Sequence, residues 1–169
     1  MIIRVSELQG EGLTIDDPAV LGWSFEDRSW RLDGIHLRVG RDGADVVVDG
    51  VAEATVPQTC GRCLESFPVA VRAPIDLRVV PRPSVGDTIE LSDDDFETDF
   101  YADDQLDLGG ILQTETTLAL PMKPLCQPGC RGLCRGCGAN RNLAPCACPE
   151  RPPDPRLAGL RLLSARRDR

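Results

Sequence analysis

Hydrophobic and polar residues alternate along much of the first half of the chain, which is typical of β-strands with one buried face. The segment IHLRVGRDGADVVVDGVAEATVPQTC predicts two extended runs joined by a hairpin-type turn at Arg41-Asp42-Gly43. The segment FPVAVRAPIDLRVVP alternates again, and the CGRC sequence before it predicts a turn between two strands. Together these segments predict an antiparallel β-meander that forms a partly closed, barrel-like body.

Residues 1–35 carry a weaker pattern. IIRVSEL predicts an edge strand, and DDPAVLG predicts a turn or a short helix with Pro18 near its start. Four apolar residues then alternate loosely with polar ones and predict one or two strands around a turn: Trp23, Phe25, Trp30 and Leu32.

An apolar stripe with helical spacing follows in DLGGILQTETTLALP. Asp107 is the predicted N-cap and Pro121 ends the helix. The predicted face contains Leu108, Ile111, Leu112, Glu115, Leu118 and Ala119. Near the end of the chain, DPRLAGLRLLSARR predicts a second, short helix that begins at Asp154. The predicted fold class is therefore α+β, with one helix packed on the β body and a C-terminal module.

Charge divides the chain into two parts. Residues 1–122 contain nine arginines and 24 acidic residues, a net charge of −15, whereas residues 123–169 contain ten basic and three acidic residues, a net charge of +7. We therefore expect an acidic, β-rich body with one helix over 1–122 and a basic, cysteine-rich module with a helix over 123–169. The basic module indicates either an anionic partner or only a solvated surface.

Residues 86–107 hold ten acidic residues and no basic one. Such a run is typical of a solvated loop, although DTIEL within it is compatible with a strand. The interleaved Phe96, Phe100 and Tyr101 are compatible with docking of parts of the run on the body. The N-terminal sequence MIIRVSELQG lacks the pattern of a signal peptide, and no stretch approaches 18 apolar residues. We therefore expect a cytoplasmic protein without a membrane span, in which thiols stay reduced and clustered cysteines are metal ligands.

Eight cysteines have spacings that fit two tetrahedral four-sulfur sites. CRGCG followed by CAC predicts a compact local site of Cys134, Cys137, Cys146 and Cys148. The remaining four predict a second site that joins distant stretches of the chain: Cys60, Cys63, Cys126 and Cys130. Zinc is the predicted metal, because closed four-cysteine sites are typical of structural zinc. An iron–sulfur cluster, disulfides and a redox pair at Cys60 and Cys63 remain alternatives.

The sequence offers little for catalysis. His36 is the only histidine and lies in a β pattern, so no Ser-His-Asp triad is indicated. Neither the Rossmann glycine spacing nor a P-loop is present, and aromatic residues are too scattered for a base-stacking surface. We therefore expect no enzymatic activity, no small-molecule substrate and no membrane partner.

The order of CGRCLESF, an acidic segment, LDLGGILQTETTLALPMKPLC, CRGLCRGCGANRNLAPCAC and DPRLAGLRLL resembles the YceD family. Its members are described as large ribosomal RNA subunit accumulation proteins. The resemblance implies a non-enzymatic role in making or stabilising the large-subunit (23S) ribosomal RNA. Arg131, Arg135 and Arg141 lie between the cysteines and would face ribosomal RNA or a large-subunit ribosomal protein. Two alternatives remain: a zinc-stabilised module that binds a basic protein without RNA contact, and a redox sensor.

Overall fold

A computed structural model of the chain describes residues 1–8, 12–22, 25–82, 98–149 and 156. The predicted strand at DTIEL, the predicted C-terminal helix and Trp23 lie outside these residues. The chain divides into two units, Met1–Gln58 with Ser66–Pro124, and Thr59–Glu65 with Leu125–Arg169. The division into 1–122 and 123–169 stays a prediction, and the structure adds that the Cys60–Cys63 turn belongs to the cysteine-rich unit.

Over its described residues the first unit is mostly sheet with one helix, so the α+β class is confirmed. Its strands are β1 (Ile2–Arg4), β2 (Leu13–Ile15), β3 (Arg31–Asp42), β4 (Asp45–Thr59), β5 (Ser66–Pro81), β6 (Thr98–Tyr101) and β7 (Gln105–Asp107), and its helix is α1 (Leu108–Ala119). Short 3-10 turns occupy Val5–Glu7 and Pro18–Leu21. None of the described helices is long and apolar enough to cross a bilayer.

Five strands form one sheet in the order β2-β3-β4-β5-β6, while β1 and β7 pair separately in antiparallel fashion. Strand β6, which the predicted meander did not include, extends the sheet by pairing in parallel with β5. Parallel pairing needs a connection of a dozen or more residues, and residues 82–97 separate β5 from β6 in the sequence. The barrel-like closure is not confirmed, since β2 and β6 are unpaired edges of the described sheet.

The hairpin of β3 and β4 forms close to its predicted turn. Asp42 pairs with Asp45, so the turn is Gly43-Ala44, and Arg41 and Asp42 belong to β3. Gly43 has a φ of 66°, which a two-residue hairpin turn favours at its first central position. Farther along β4, a Cβ on Gly50 would lie 2.0 Å from the His36 carbonyl oxygen, so glycine lets the two strands approach.

Helix α1 begins as predicted, because the Asp107 carboxylate accepts a hydrogen bond from the Gly109 N–H at 3.0 Å. Its buried face differs from the predicted one. Leu118 is 73% exposed, whereas Thr116 is fully buried. The buried side of α1 is Leu108, Ile111, Leu112 and Thr116, and the leucine and isoleucine members join the main hydrophobic core with residues of the strands.

Two further predictions about local structure need correction. Residues 98–101 and 105–107 of the acidic segment are strands β6 and β7, since buried Leu106 and half-buried Tyr101 anchor them to the core. Phe25 and Trp30 precede β3 instead of lying in a strand, and their rings pack with centroids 5.4 Å apart. The predicted N-terminal strand is confirmed over Ile2–Arg4 as β1, whereas Val5–Glu7 forms a 3-10 turn.

Candidate metal centre

Four cysteine sulfurs from two distant stretches of the chain meet in the second unit. Sγ of Cys60 lies 3.7 Å from Sγ of Cys130, and Sγ of Cys63 lies 3.6 Å from Sγ of Cys126. All four sulfurs lie within 4.8 Å of one another. Cys60, Cys63 and Cys130 are buried, and Cys126 is partly buried. The structure thus brings together one predicted set, which we term the inner group.

The second predicted set also comes together. The Sγ atoms of Cys134, Cys137, Cys146 and Cys148 lie within 4.8 Å of one another, and we term them the outer group. Cys137 and Cys148 are exposed, and the other two are partly buried. Gly136 makes room for this arrangement, because a Cβ there would lie 3.2 Å from Cβ of Cys148. The outer group is therefore the more accessible of the two.

Each C-x2-C pair sits on the same kind of tight turn. In the inner group, the Leu64 N–H donates to the Cys60 carbonyl at 3.0 Å, and the Cys60 N–H donates to the Glu65 carbonyl at 2.9 Å. In the outer group, the Gly138 N–H donates to the Cys134 carbonyl at 2.9 Å, and the Cys134 N–H donates to the Ala139 carbonyl at 2.8 Å. This closure of the backbone aims both sulfurs of a pair at one point.

The environment divides the thiols of the inner group into easily and reluctantly ionised ones. The backbone N–H of Cys126, followed by that of Cys63, lowers the pKa of Cys60 to about 6. Burial, followed by the neighbouring Cys63 thiol, raises the pKa of Cys126 to about 12. Four thiolates this close repel one another, so the full set of charges requires a cation among them.

The outer group shows the same division. The backbone N–H of Cys137, followed by the Cys146 side chain, lowers the pKa of Cys134 to about 6. The Cys137 side chain, followed by that of Cys134, raises the pKa of Cys148 to about 12. Cys60 in the inner group and Cys134 in the outer group are therefore the thiols most ready to receive a metal ion as thiolates, and binding of the ion favours ionisation of Cys126 and Cys148.

The sulfur distances fit a single tetrahedral ion. Zinc–sulfur bonds of about 2.3 Å separate the sulfurs of a tetrahedron by about 3.8 Å, close to the 3.6 and 3.7 Å distances of the inner group. An iron–sulfur cluster holds its cysteines around several ions and spreads them farther apart. All eight cysteines are free thiols in the structure. The donor set and its spacing therefore suit zinc.

Apolar burial contributes little to this unit. Among its described residues, the buried side chains are those of Cys60, Cys63 and Cys130, while Leu64 and Leu143 are 63% and 80% exposed. A module without an apolar core needs another source of stability, and a structural metal is one that small domains use. The composition of the unit thus agrees with the geometry of its sulfurs.

The three arginines predicted to contact a partner are exposed on loops of this unit. The backbone N–H of Arg131 donates to Oδ1 of Asn142 at 2.8 Å, and that of Arg141 donates to the Gly132 carbonyl at 2.9 Å. Within the described part of the chain, the side chains of Arg131, Arg135 and Arg141 form no salt bridge. The backbones of Arg131 and Arg141 are therefore held by hydrogen bonds, and all three arginines are exposed.

Three residues that shape the site were not predicted from the sequence. Asn142 donates from Nδ2 to Sγ of Cys130 at 3.3 Å, and Asn140 supports Asn142. Arg62 donates from its guanidinium to the Cys130 carbonyl at 3.0 Å. These residues lie between cysteines in the GANRN and CGRC sequences, and this position is the sequence feature that indicates a role beside the sulfurs. His36 is exposed on β3 and its Nδ1 lies 2.5 Å from an Asp16 carboxylate oxygen, away from both groups in sequence and in unit.

One protein family and several individual proteins are similar to this chain. The profile of the family described as "Large ribosomal RNA subunit accumulation protein YceD" matches residues 48–164. Uncharacterized proteins of Mycobacterium bovis and Mycobacterium tuberculosis are each 32% identical over 127 residues, which cover 74% of this chain and 59% of theirs. The chloroplastic YCED homolog 1 of Zea mays, named as a large ribosomal RNA subunit accumulation protein, is 26% identical over 142 residues.

That maize match covers 69% of this chain and 48% of the maize protein. The chain therefore spans between about half and three fifths of the length of these relatives. No solved structure matches. The family match, in contrast, covers most of the chain and includes all eight cysteines, both C-x2-C turns and helix α1. On this ground the chain belongs to the YceD family.

Proposed function

We propose that the chain is a cytoplasmic, non-enzymatic ribosome-biogenesis factor that supports the accumulation of large-subunit (23S) ribosomal RNA, with two structural zinc ions in its second unit. Membership of the YceD family supports the role in ribosome biogenesis. The maize relative bears the same description in its name. The zinc ions are supported by the two four-cysteine groups.

The non-enzymatic character follows from the kind of site proposed. A zinc ion held by four cysteines has no open position for water or substrate, and such closed sites are structural. Burial of Cys60 and Cys63 speaks against the redox alternative, because a reactive thiol needs solvent access. Elemental analysis, an ultraviolet–visible spectrum and a thiol count separate the possibilities. Two zinc ions without a reactive thiol support the proposal, whereas iron or a titratable disulfide contradicts it.

The observation that carries RNA contact is the exposure of Arg131, Arg135 and Arg141 on the loops that join the cysteines. Guanidinium groups bind phosphate oxygens in a bidentate manner, and a metal-fixed loop reduces the entropy lost on binding. The acidic body, with a net charge of −15 over residues 1–122, repels phosphate. RNA is therefore expected to meet the second unit.

Salt dependence of binding tests this assignment. We expect the full chain to bind fragments of 23S ribosomal RNA, and we expect the logarithm of the binding constant to fall linearly with the logarithm of the salt concentration. Replacing Arg131, Arg135 and Arg141 with glutamine is expected to reduce that slope by roughly two to three, at about 0.7 to 0.9 per lost phosphate contact. The matched control replaces three exposed arginines of the first unit with glutamine, and we expect its salt slope to equal that of the wild-type chain. These arginines are Arg4, Arg31 and Arg72. Equal slopes in both variants contradict RNA contact through the second unit.

One observation favours the alternative of a protein partner. The first unit has an open groove of about 480 Å³ that is lined by Asp99, Phe100 and Asp103 among others. Phe100 is 43% exposed, and the floor includes apolar Val79 and Ile111. A basic segment of a large-subunit ribosomal protein that carries an apolar side chain suits such a groove.

Substitution within the groove distinguishes the two functions. Phe100→Ser with Asp103→Asn is expected to weaken binding of purified basic large-subunit proteins if the groove is the contact. Leu118→Ser with Asp76→Asn is the matched control, because Leu118 is 73% exposed and neither residue lines the groove. Unchanged binding in the groove variant, together with lost RNA binding in the arginine variant, leaves the RNA function as the one supported.

A further inference from the structure

Asn142 belongs to the loop of the outer group but contacts the inner group. The loop is tethered by Cys137 and Cys146, and Asn142 lies between them in the chain. Its Nδ2 donates to Sγ of Cys130 at 3.3 Å and to Oδ1 of Asn140 at 2.9 Å. Its Oδ1 accepts from the Arg131 N–H at 2.8 Å. The side chain thus links one cysteine group to the loop of the other.

These three bonds fix which end of the amide faces the sulfur. A flipped amide would place its oxygen against Sγ of Cys130 and against Oδ1 of Asn140, and its NH2 against the Arg131 N–H. Every one of those contacts would be repulsive. Asn142 is therefore a donor to the inner group, and an N–H donor stabilises negative charge on the thiolate.

A second asparagine holds Asn142 in place. Oδ1 of Asn140 also accepts from the backbone N–H of Asn142 at 3.0 Å, and its Nδ2 donates to an Oε1 carboxylate oxygen of Glu65 at 3.3 Å. Glu65 lies two residues after Cys63, and its carbonyl accepts from the Cys60 N–H. The chain of contacts therefore runs from the outer loop through Asn140 and Asn142 to both halves of the inner group.

We propose that Asn142 couples the two cysteine groups, so that metal binding in the outer group raises the metal affinity of the inner group. Closing the outer group on an ion restrains both ends of the loop, which keeps the Asn142 donor against Cys130. Hydrogen bonds to metal-bound ligands orient them and tune their basicity. The inference rests on the proposal that both groups hold zinc. Asn142 is a positioning residue in this scheme and not itself a ligand.

The first experiment measures the inner group directly. Full-length chain is loaded with ¹¹³Cd, and the resonance that persists in a Cys137→Ser, Cys148→Ser double variant is assigned to the inner group. We expect Asn142→Ala and Asn142→Asp to shift that resonance and to lower the affinity of the inner group by about 10- to 100-fold in chelator competition. Gln127→Glu adds a charge beside Cys126 without replacing a donor to sulfur, and it calibrates the effect of charge alone.

The second experiment tests the coupling with a double-mutant cycle. In the Cys137→Ser, Cys148→Ser background, the outer loop is no longer held by metal. The inner group is expected to bind more weakly there, and Asn142→Ala is expected to have a smaller effect than in the wild-type chain. An Asn142→Ala effect of the same size in both backgrounds overturns the coupling. An inner-group metal affinity that is equal in the wild-type chain and in the Cys137→Ser, Cys148→Ser variant also overturns it.

Metal stoichiometry separates the possible failures. A wild-type chain that binds no metal overturns both this inference and the proposed zinc sites. A chain that binds two ions, with an inner resonance and affinity unmoved by Asn142→Ala, overturns the coupling alone. Should Asn142→Asp fail to fold, Asn142→Ala carries no charge and provides the same test.

Discussion

Leu64 and Gly138 occupy equivalent positions in the two C-x2-C turns. Each follows the second cysteine directly and donates its N–H to the carbonyl of the first. Their φ angles are 62° and 74°, so both adopt the left-handed conformation. Glycine adopts it freely, whereas leucine does so at a cost of about 1 to 2 kcal/mol. The inner group thus tolerates a strain that the outer group avoids.

Exchanging the residue type at these positions is expected to have opposite effects. Gly138→Ala adds the left-handed strain where no atom lies near the new Cβ, so the outer group should bind zinc about 5- to 10-fold more weakly, which corresponds to about 1 kcal/mol. Leu64→Gly relieves strain at a side chain that is 63% exposed, so the inner group should bind as tightly or more tightly. Chelator competition measures both affinities.

Gly129→Ala is the matched control for these variants. Gly129 lies in the same unit and has no positive φ, and a Cβ added to it would have no atom within 4 Å. An alanine substitution at this position should therefore change little. If Gly129→Ala and Gly138→Ala weaken zinc binding equally, the left-handed strain is not the cause.

The comparison of these turns also shows what a sequence can predict about the site. CRGCG predicts its turn, because the glycine after the second cysteine indicates a positive φ. CGRCL carries no such signal, and Leu64 adopts the conformation only because the hydrogen bonds of the turn impose it. The cysteine count does not fix how the eight divide, but the CRGCG and CAC sequences predict one local group and leave the other four cysteines for the second, and the structure brings together the same two sets. The roles of Asn140 and Asn142 depend on side-chain positions that spacing does not encode.

The sequence likewise predicted only part of the fold. Alternation predicted β3, β4 and β5, because period-two patterns reflect one buried face. It could not predict that β6 pairs in parallel with β5, since pairing direction depends on the path of the connection. Helical spacing predicted α1 but placed Leu118 on the buried face. The structure buries Thr116 in that helix instead, so the buried face of α1 is rotated about the helix axis from the predicted apolar face.

Removal of metal is expected to unfold the second unit selectively. This unit buries only cysteine side chains among its described residues, whereas the first unit has an apolar core that includes Leu37, Val48 and Leu112. The binding free energy of structural zinc is folding free energy, on the order of 10 kcal/mol per site. After chelation, hydrogen exchange should accelerate in residues 125–149 while β3 and β4 remain protected. Unchanged exchange in 125–149, with metal loss verified, contradicts the structural role.

Glu115 is expected to make stability depend on pH. Burial, followed by the negative charge of Asp99, raises the pKa of Glu115 above its usual range. The folded state therefore favours the protonated carboxyl. Ionisation of Glu115 lowers the free energy of unfolding, and this loss is absent below the usual glutamate pKa and grows as pH rises through the raised pKa. Glu115→Gln should raise the urea midpoint at pH 7 and lose that advantage near pH 4. The exposed Glu7→Gln variant is the control, and an advantage of equal size at both pH values argues against this origin.

Thr116 provides a test of packing on α1. Its side chain is fully buried, and its hydroxyl has no hydrogen-bond partner among the described residues. A buried hydroxyl without a partner costs about 1 to 3 kcal/mol, whereas valine has nearly the same shape without that cost. Thr116→Val should therefore stabilise the first unit by about 1 kcal/mol in urea unfolding, with the slope unchanged. Thr116→Ser keeps the hydroxyl and loses a methyl group, so it should destabilise the unit by about 1 kcal/mol. A loss of stability in both variants would mean that the hydroxyl has a partner in solution, such as a buried water molecule.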